Sequence, residues 1–158
     1  MSVERGAVAL TAEDRRLLDL AVEQAEIGWD EGGVPIGAVL ARGAEVLAVG
    51  RNRRVQQNSA ILHGETDAFE RAGRLPASVY RECTLYTTLS PCFMCAGTSL
   101  LYGIPRIVIG ENKTFSVSED LLVEHGVVLV VADDSQCLDL MGRMLDERLE
   151  IWNEDIGN

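Results

Sequence analysis

The stretch Thr84–Gly110, TLYTTLSPCFMCAGTSLLYGIPRIVIG, decides the fold. Residues 84–88 are β-branched, aromatic or aliphatic and read as a strand. Pro91 stands where a helix can begin, because it lacks only an N–H that a first turn leaves unpaired. That helix carries Cys92 to about Tyr102 and stops at Gly103, and residues 106–110 read as a second strand. Strand, helix and strand in close succession form a crossover, which predicts two parallel strands in one sheet.

The rest of the chain extends this unit on both sides. Upstream, Pro35–Asn52 (PIGAVLARGAEVLAVGRN) is two apolar runs around a turn near Gly43, the pattern of an antiparallel hairpin. A first helix is predicted over Thr11–Glu31, where Leu17, Leu18, Ala21, Val22 and Ala25 recur at helical spacing. Another spans Gly64–Ala72 and ends at Gly73. Downstream come a helix at about 118–125, a strand at 127–131, and helical material from Ser135 to the C-terminus. The expected architecture is α/β: a three-layer α/β/α sandwich around a five-stranded mixed sheet, formed by residues 1–158 as one domain.

Composition narrows the function. The 158 residues are 47% hydrophobic and 25% charged, ordinary for a packed domain. No run approaches the roughly 20 apolar residues of a membrane span, and MSVERGAVAL places an acid, Glu4, where a signal peptide needs a basic region and lacks the long apolar segment that would follow. These features predict a cytoplasmic protein with no membrane partner. The net charge of −11 repels a nucleic-acid backbone. Arg51, Arg53 and Arg54 form the one short basic cluster, read as a solvated loop face. A small uncharged substrate is favoured over DNA or RNA. Of the four cysteines, Cys83 and Cys137 read as small buried apolar residues.

Cys92 and Cys95, alone, fit a redox dithiol, half of a structural zinc knot, or the thiolates of a catalytic metal site. His63 and Glu65, in LHGETDAF, favour the last. His63 opens the helix preceding the one that carries the cysteines, so two helix starts can converge on one ion, and a helix N-terminus stabilises thiolate. One imidazole and two thiolates suit Zn2+, one per chain, and leave a fourth position for water. On a regular helix Glu65 would sit roughly 200° round the axis from His63. With His63 at the helix entry, both can approach one water, and Glu65 becomes the proton shuttle. H-x-E followed by P-C-x-x-C matches the established signature of zinc-dependent nucleobase deaminases.

The chain resembles the fungal-type cytosine deaminases of the cytidine-deaminase-like superfamily. The likeness runs from GGVPIGA through HGE, GRL, TLYTTLSPC-x-MC, YGIPR and GEN to the final EDIG. It implies hydrolysis of the exocyclic amine of a free pyrimidine, cytosine to uracil plus ammonia, by a zinc-activated hydroxide with Glu65 moving the protons. Position by position it implies His63, Cys92 and Cys95 as metal ligands. It implies Asn52 and the Gly64 N–H on the ring carbonyl, Ser90 at the substrate, and Phe115 and Trp152 as walls. Asp155 would accept from the amine, on a C-terminal helix that closes over the ring. It also implies a homodimer, for which Met94 and Leu100–Tyr102 offer an apolar surface. Thr66, Asp67, Phe93 and Arg51 depart from the fungal pattern and bear on which ring is preferred.

Rival readings share part of this evidence. A tRNA adenosine deaminase needs a basic surface. A deaminase of guanine, creatinine or a triazine differs only in pocket contacts. A non-catalytic zinc-stabilised binding module normally has four protein ligands, and a thiol oxidoreductase explains neither His63 nor Glu65.

Overall fold

Thr11 sets the start of the first helix through a capping box. Its hydroxyl accepts from the Asp14 N–H at 3.0 Å, and the Asp14 carboxylate accepts from the Thr11 N–H at 3.3 Å. Helix α1 (Ala12–Asp30) follows in the computed structural model, which describes residues 10–158; the opening residues 1–9, read above for a leader, lie outside that range. Strands β1 (Gly37–Arg42) and β2 (Glu45–Arg51) form the expected hairpin, with Gly43 at φ +58° in the turn. Helix α3 (Gly64–Ala72), strand β3 (Thr84–Leu89), helix α5 (Phe93–Tyr102) and strand β4 (Arg106–Glu111) come next. Then follow α6 (Glu119–Glu124), β5 (Val128–Val131), α7 (Ser135–Glu147) and α8 (Leu149–Asp155).

The five strands lie in the order β2-β1-β3-β4-β5, antiparallel on the hairpin side and parallel from β3 to β5. Alternate strand residues feed two apolar layers. Leu40, Leu85, Ile107 and Ile109 pack with Phe69 of α3, Ala96 of α5 and Leu122 of α6. Val39, Tyr86 and Val108 face Leu17, Leu18 and Ala21 of α1, and α7 joins that side through Cys137 and Leu140 against Val22 and Ala25. This is the three-layer mixed sheet expected from the alternation of elements.

Three details depart from the expectation. One-turn helices α2 (Arg54–Gln57) and α4 (Ala77–Tyr80) fill connections for which no element was expected, too short for periodicity to reveal. The C-terminal helical material divides at Arg148, whose φ of −138° interrupts the helix. Pro91 precedes the N-cap of α5 instead of occupying its first turn, and its carbonyl accepts from the Ser118 hydroxyl.

Asp14 also ties α1 to the sheet. Its carboxylate accepts two hydrogen bonds from Arg106 of β4 (2.9 and 2.7 Å) and one from the Tyr86 hydroxyl of β3 (2.9 Å). The Arg106 guanidinium, helped by Tyr86 and opposed by burial, holds this carboxyl well below the usual range. A carboxyl with a depressed folded-state pKa stabilises fully above its unfolded value and loses that contribution as pH falls. Asp14→Asn is expected to lower stability by about 2 kcal/mol at pH 7 and to flatten the acid side of the stability profile, measurable by denaturant unfolding from pH 7 to 3.

Candidate active site

Two helix entries meet at one end of the sheet, beyond the C-terminal ends of β2 and β3. His63 is the N-cap of α3 and Cys92 the N-cap of α5, both with extended backbone (ψ 171° and 175°). Gly50 lets α3 come this close: a Cβ there would lie 2.4 Å from the Ala68 nitrogen and 2.5 Å from the Gly64 oxygen. The His63 Nδ1 atom stands 3.4 Å from the Cys92 Sγ and 3.7 Å from the Cys95 Sγ. Their ligating atoms all lie within 4.8 Å of one another, and no other such cluster occurs among the described residues. One nitrogen and two sulfurs at this spacing fit zinc, one donor short of its preferred four. His125, the other histidine, is exposed and bound to the Leu121 carbonyl, so it supplies no fourth ligand.

The extended conformation of His63 also resolves the question of phase. Because His63 lies outside the regular turn, it and Glu65 line the same cavity. Glu65 is 3% exposed, and the Thr87 hydroxyl donates to its Oε1 at 2.7 Å. Burial raises the Glu65 pKa, which suits a group that must both accept and release a proton.

Ser90 and Cys92 continue the wall, Ile36, Leu89 and Ile156 make it apolar, and Phe115, Trp152 and Asp155 complete it. The Phe115 and Trp152 rings meet edge to face, with centroids 5.7 Å apart. Glu119 accepts from the hydroxyls of Ser90 (2.8 Å) and Ser116 (2.7 Å), pinning the loop that carries Phe115.

Three expected site residues stand behind this lining. Cys95 is fully buried, and Gly64 packs against the Ile36 backbone. Asn52 is also fully buried; its Nδ2 donates to both Asp155 oxygens (3.0 and 3.1 Å), and its Oδ1 accepts from the Arg54 N–H (3.1 Å). Asp155 also stands 3.5 Å from the His63 Nε2, on the side of the ring away from the thiols. A carboxylate there orients the imidazole with Nδ1 towards the metal position.

The sequence reading missed Thr87 and the apolar walls. Thr87 had a signal, since a hydroxyl on a strand otherwise buried needs a partner. Ile36 and Leu89 had none, because their side chains resemble any core residue.

Residues 11–111 match the family described as the cytidine and deoxycytidylate deaminase zinc-binding region. The chain belongs to this zinc-dependent deaminase family. A cytosine deaminase of Candida albicans is 50% identical over 149 residues, covering 94% of this chain and 99% of the relative. A tRNA-specific adenosine deaminase of Streptococcus pyogenes is 31% identical over 112 residues, 69% of this chain and 70% of the relative. In fold, the deaminase is similar to the guanine deaminase of Nitrosomonas europaea, with TM-score 0.68, 20% identity and 87% of each chain covered.

In the metal-free deaminase the three donors are unequally prepared. The neighbouring Cys95 thiol, aided by His63, draws Cys92 down to about 4 against the opposing effect of burial. Burial pushes Cys95 well up. Burial alone would lower His63, but Cys92, Asp155 and Glu65 carry it up to about 9. One imidazole and two thiols sharing their protons must lose them for all three to serve as ligands. Zinc loading near pH 7.5 is expected to release about two protons and to weaken steeply towards acid pH. Titration calorimetry in buffers of different ionisation enthalpy checks this, with saturation at one zinc per chain.

Proposed function

We propose that this deaminase hydrolyses free cytosine to uracil and ammonia, with residues 1–158 forming one catalytic domain. The observation that carries the substrate is where the departures from the fungal pattern fall. Arg51 pairs with Glu31 and Gln24, and Asp67 accepts from the Arg51 N–H and from Arg53 and Arg71. The Thr66 hydroxyl is held by the Ile61 and His63 carbonyls, and Phe93 is 63% exposed. None of the four lines the cavity, so the lining offers them no means to change the ring selected. The 50% identity to a cytosine deaminase supports the same choice.

His63, Cys92 and Cys95 would hold the zinc. Bound zinc supplies Lewis acidity that makes water acidic enough to act as a nucleophile at neutral pH. Glu65 takes one proton from the attacking water and delivers it to the ring nitrogen beside the amine-bearing carbon. It then moves the second proton to the departing amine, so that water and cytosine leave as uracil and ammonia. Asp155, fixed as an acceptor by Asn52, takes a hydrogen bond from the exocyclic amine. The ring carbonyl falls to the Gly64 N–H, free of an intrahelical partner at the first position of α3, while Asn52, expected at the same carbonyl, has its Nδ2 engaged by both Asp155 oxygens and acts by orienting that acid. Phe115 and Trp152 hold the planar ring, Ser90 supports the same wall, and the apolar lining excludes bulk water.

The charge distribution supports a small substrate without a nucleic-acid partner. Arg51, Arg53 and Arg54 are paired with Glu31, Asp67 and Glu154 respectively, so the basic cluster is neutralised internally. No helix among the described residues is long and apolar enough to cross a membrane. The four free cysteines, two of them required as metal ligands, support a reducing cytoplasmic setting.

Leu100 packs inward, whereas Leu101 is 75% exposed beside half-exposed Tyr102. With Phe93, these residues support a homodimer through α5. Light scattering is expected to give twice the 17.2 kDa chain mass, and a mass near one chain would overturn the dimer.

The purified zinc-loaded protein is expected to release ammonia from free cytosine. Glu65→Ala is expected to lower kcat at least a thousandfold while retaining zinc. Silence on cytosine with zinc bound would overturn the substrate reading and turn the assay to guanine and creatinine.

A further inference from the structure

Helix α8 is seven residues long, yet it places both Trp152 and Asp155 against the cavity. So short a helix has no stability of its own in water, and the contacts at its ends determine where it sits. At its start, Arg148 donates to the carbonyls of Trp29 (3.1 Å) and Gly33 (2.7 Å), and its guanidinium lies 3.6 Å above the Trp29 ring. At its far end, Arg54 reaches across from α2. Its Nη1 and Nη2 donate to the two Glu154 oxygens at 2.8 and 2.6 Å, a fork on a fork, and Nη1 also reaches the Asp155 Oδ1 at 3.2 Å.

Arg54 is itself anchored. Its Nε donates to the Ala60 carbonyl at 3.0 Å, and its side chain is only 13% exposed. Its backbone N–H fixes the Asn52 amide, whose other end holds Asp155. One residue thus holds the helix through its side chain and orients the helix's substrate-facing acid through its main chain. Glu154 differs: its side chain is 62% exposed and lies outside the cavity, bordering a surface groove with Arg54.

We infer that Arg54 is a positioning residue whose ion pair with Glu154 latches α8 closed over the bound ring. A pair with one exposed partner adds little to global stability, but opening a seven-residue helix is a local event and responds to small free energies. When α8 is open, Asp155 and Trp152 leave the site, so apparent affinity falls in proportion to the fraction closed. The effect on turnover rests on the deaminase reading above; the closure of α8 does not.

The test is hydrogen exchange of the zinc-loaded full-length protein, comparing wild type with Glu154→Gln, Arg54→Ala and the double variant. Each single variant is expected to exchange roughly fivefold faster over residues 149–158, and the double variant no faster than Arg54→Ala. Residues 63–72 and 93–102 are expected to be unchanged. The KM for cytosine should rise by a similar factor in Glu154→Gln with kcat within twofold of wild type, and Arg54→Lys should recover part of the loss. Added salt should mimic the substitution in wild type and do little to Glu154→Gln. Unchanged exchange over 149–158 in Glu154→Gln, or faster exchange spread evenly over the sheet, would overturn the latch. If wild type fails on cytosine, the substrate reading fails alone, because the exchange measurement still judges the latch.

Discussion

One metal ion served by donors on two separate helices requires those helices to begin almost at the same point. Here the His63 nitrogen lies 3.4 and 3.7 Å from the two cysteine sulfurs, and much of the fold maintains that meeting. β1 pairs antiparallel with both β2 and β3, so those two strands run in the same direction and the chain segments leading into α3 and α5 emerge at the same end of the sheet. Gly50 removes the side chain that would hold α3 away. The partial positive charge at both helix starts favours the thiolate forms that zinc requires, so the backbone contributes to the electrostatics as well as to the geometry.

The same economy governs charge. A chain of net charge −11 carries three arginines within four residues, yet each is matched to an acid elsewhere in the chain: the C-cap of α1 for Arg51, α3 for Arg53 and α8 for Arg54. The cluster is an internal fastener at the end of β2, not the solvated loop face suggested by its composition. It surrounds Asn52, whose amide must point one way to support Asp155.

The legible parts of this protein were those that local chemistry dictates. The strand–helix–strand pattern from Thr84 to Gly110 showed the parallel half of the sheet, because β-branched runs, Pro91 and Gly103 mark boundaries by their own conformational limits. The metal donors were legible because few residue types bind zinc and their spacing is confined to helix starts. Asp155 and Trp152 were accessible only through family resemblance, since an acid and an aromatic near the C-terminus have ordinary explanations. Ile36 and Leu89 were not legible, and the Thr87 hydroxyl signalled a need for some partner without naming Glu65, because these contacts depend on which faces the folded sheet brings together. The break at Arg148 was hidden for a similar reason: arginine is a good helix former, and only the Trp29 ring and the carbonyls it reaches turn the chain there.

The contacts around His63 differ greatly in the length of chain they enclose. His63 and its two sulfur partners are 29 and 32 residues apart in sequence, whereas Asn52 and Asp155 are 103 apart. For a flexible chain, closing the longer loop costs about 1 kcal/mol more in entropy. The metal donors are therefore the more local contacts, and the enclosure of a base is the more costly to assemble from the unfolded chain. A metal that binds the folded chain and not the unfolded one stabilises both together by mass action, so zinc held at the local contacts also favours the distant one.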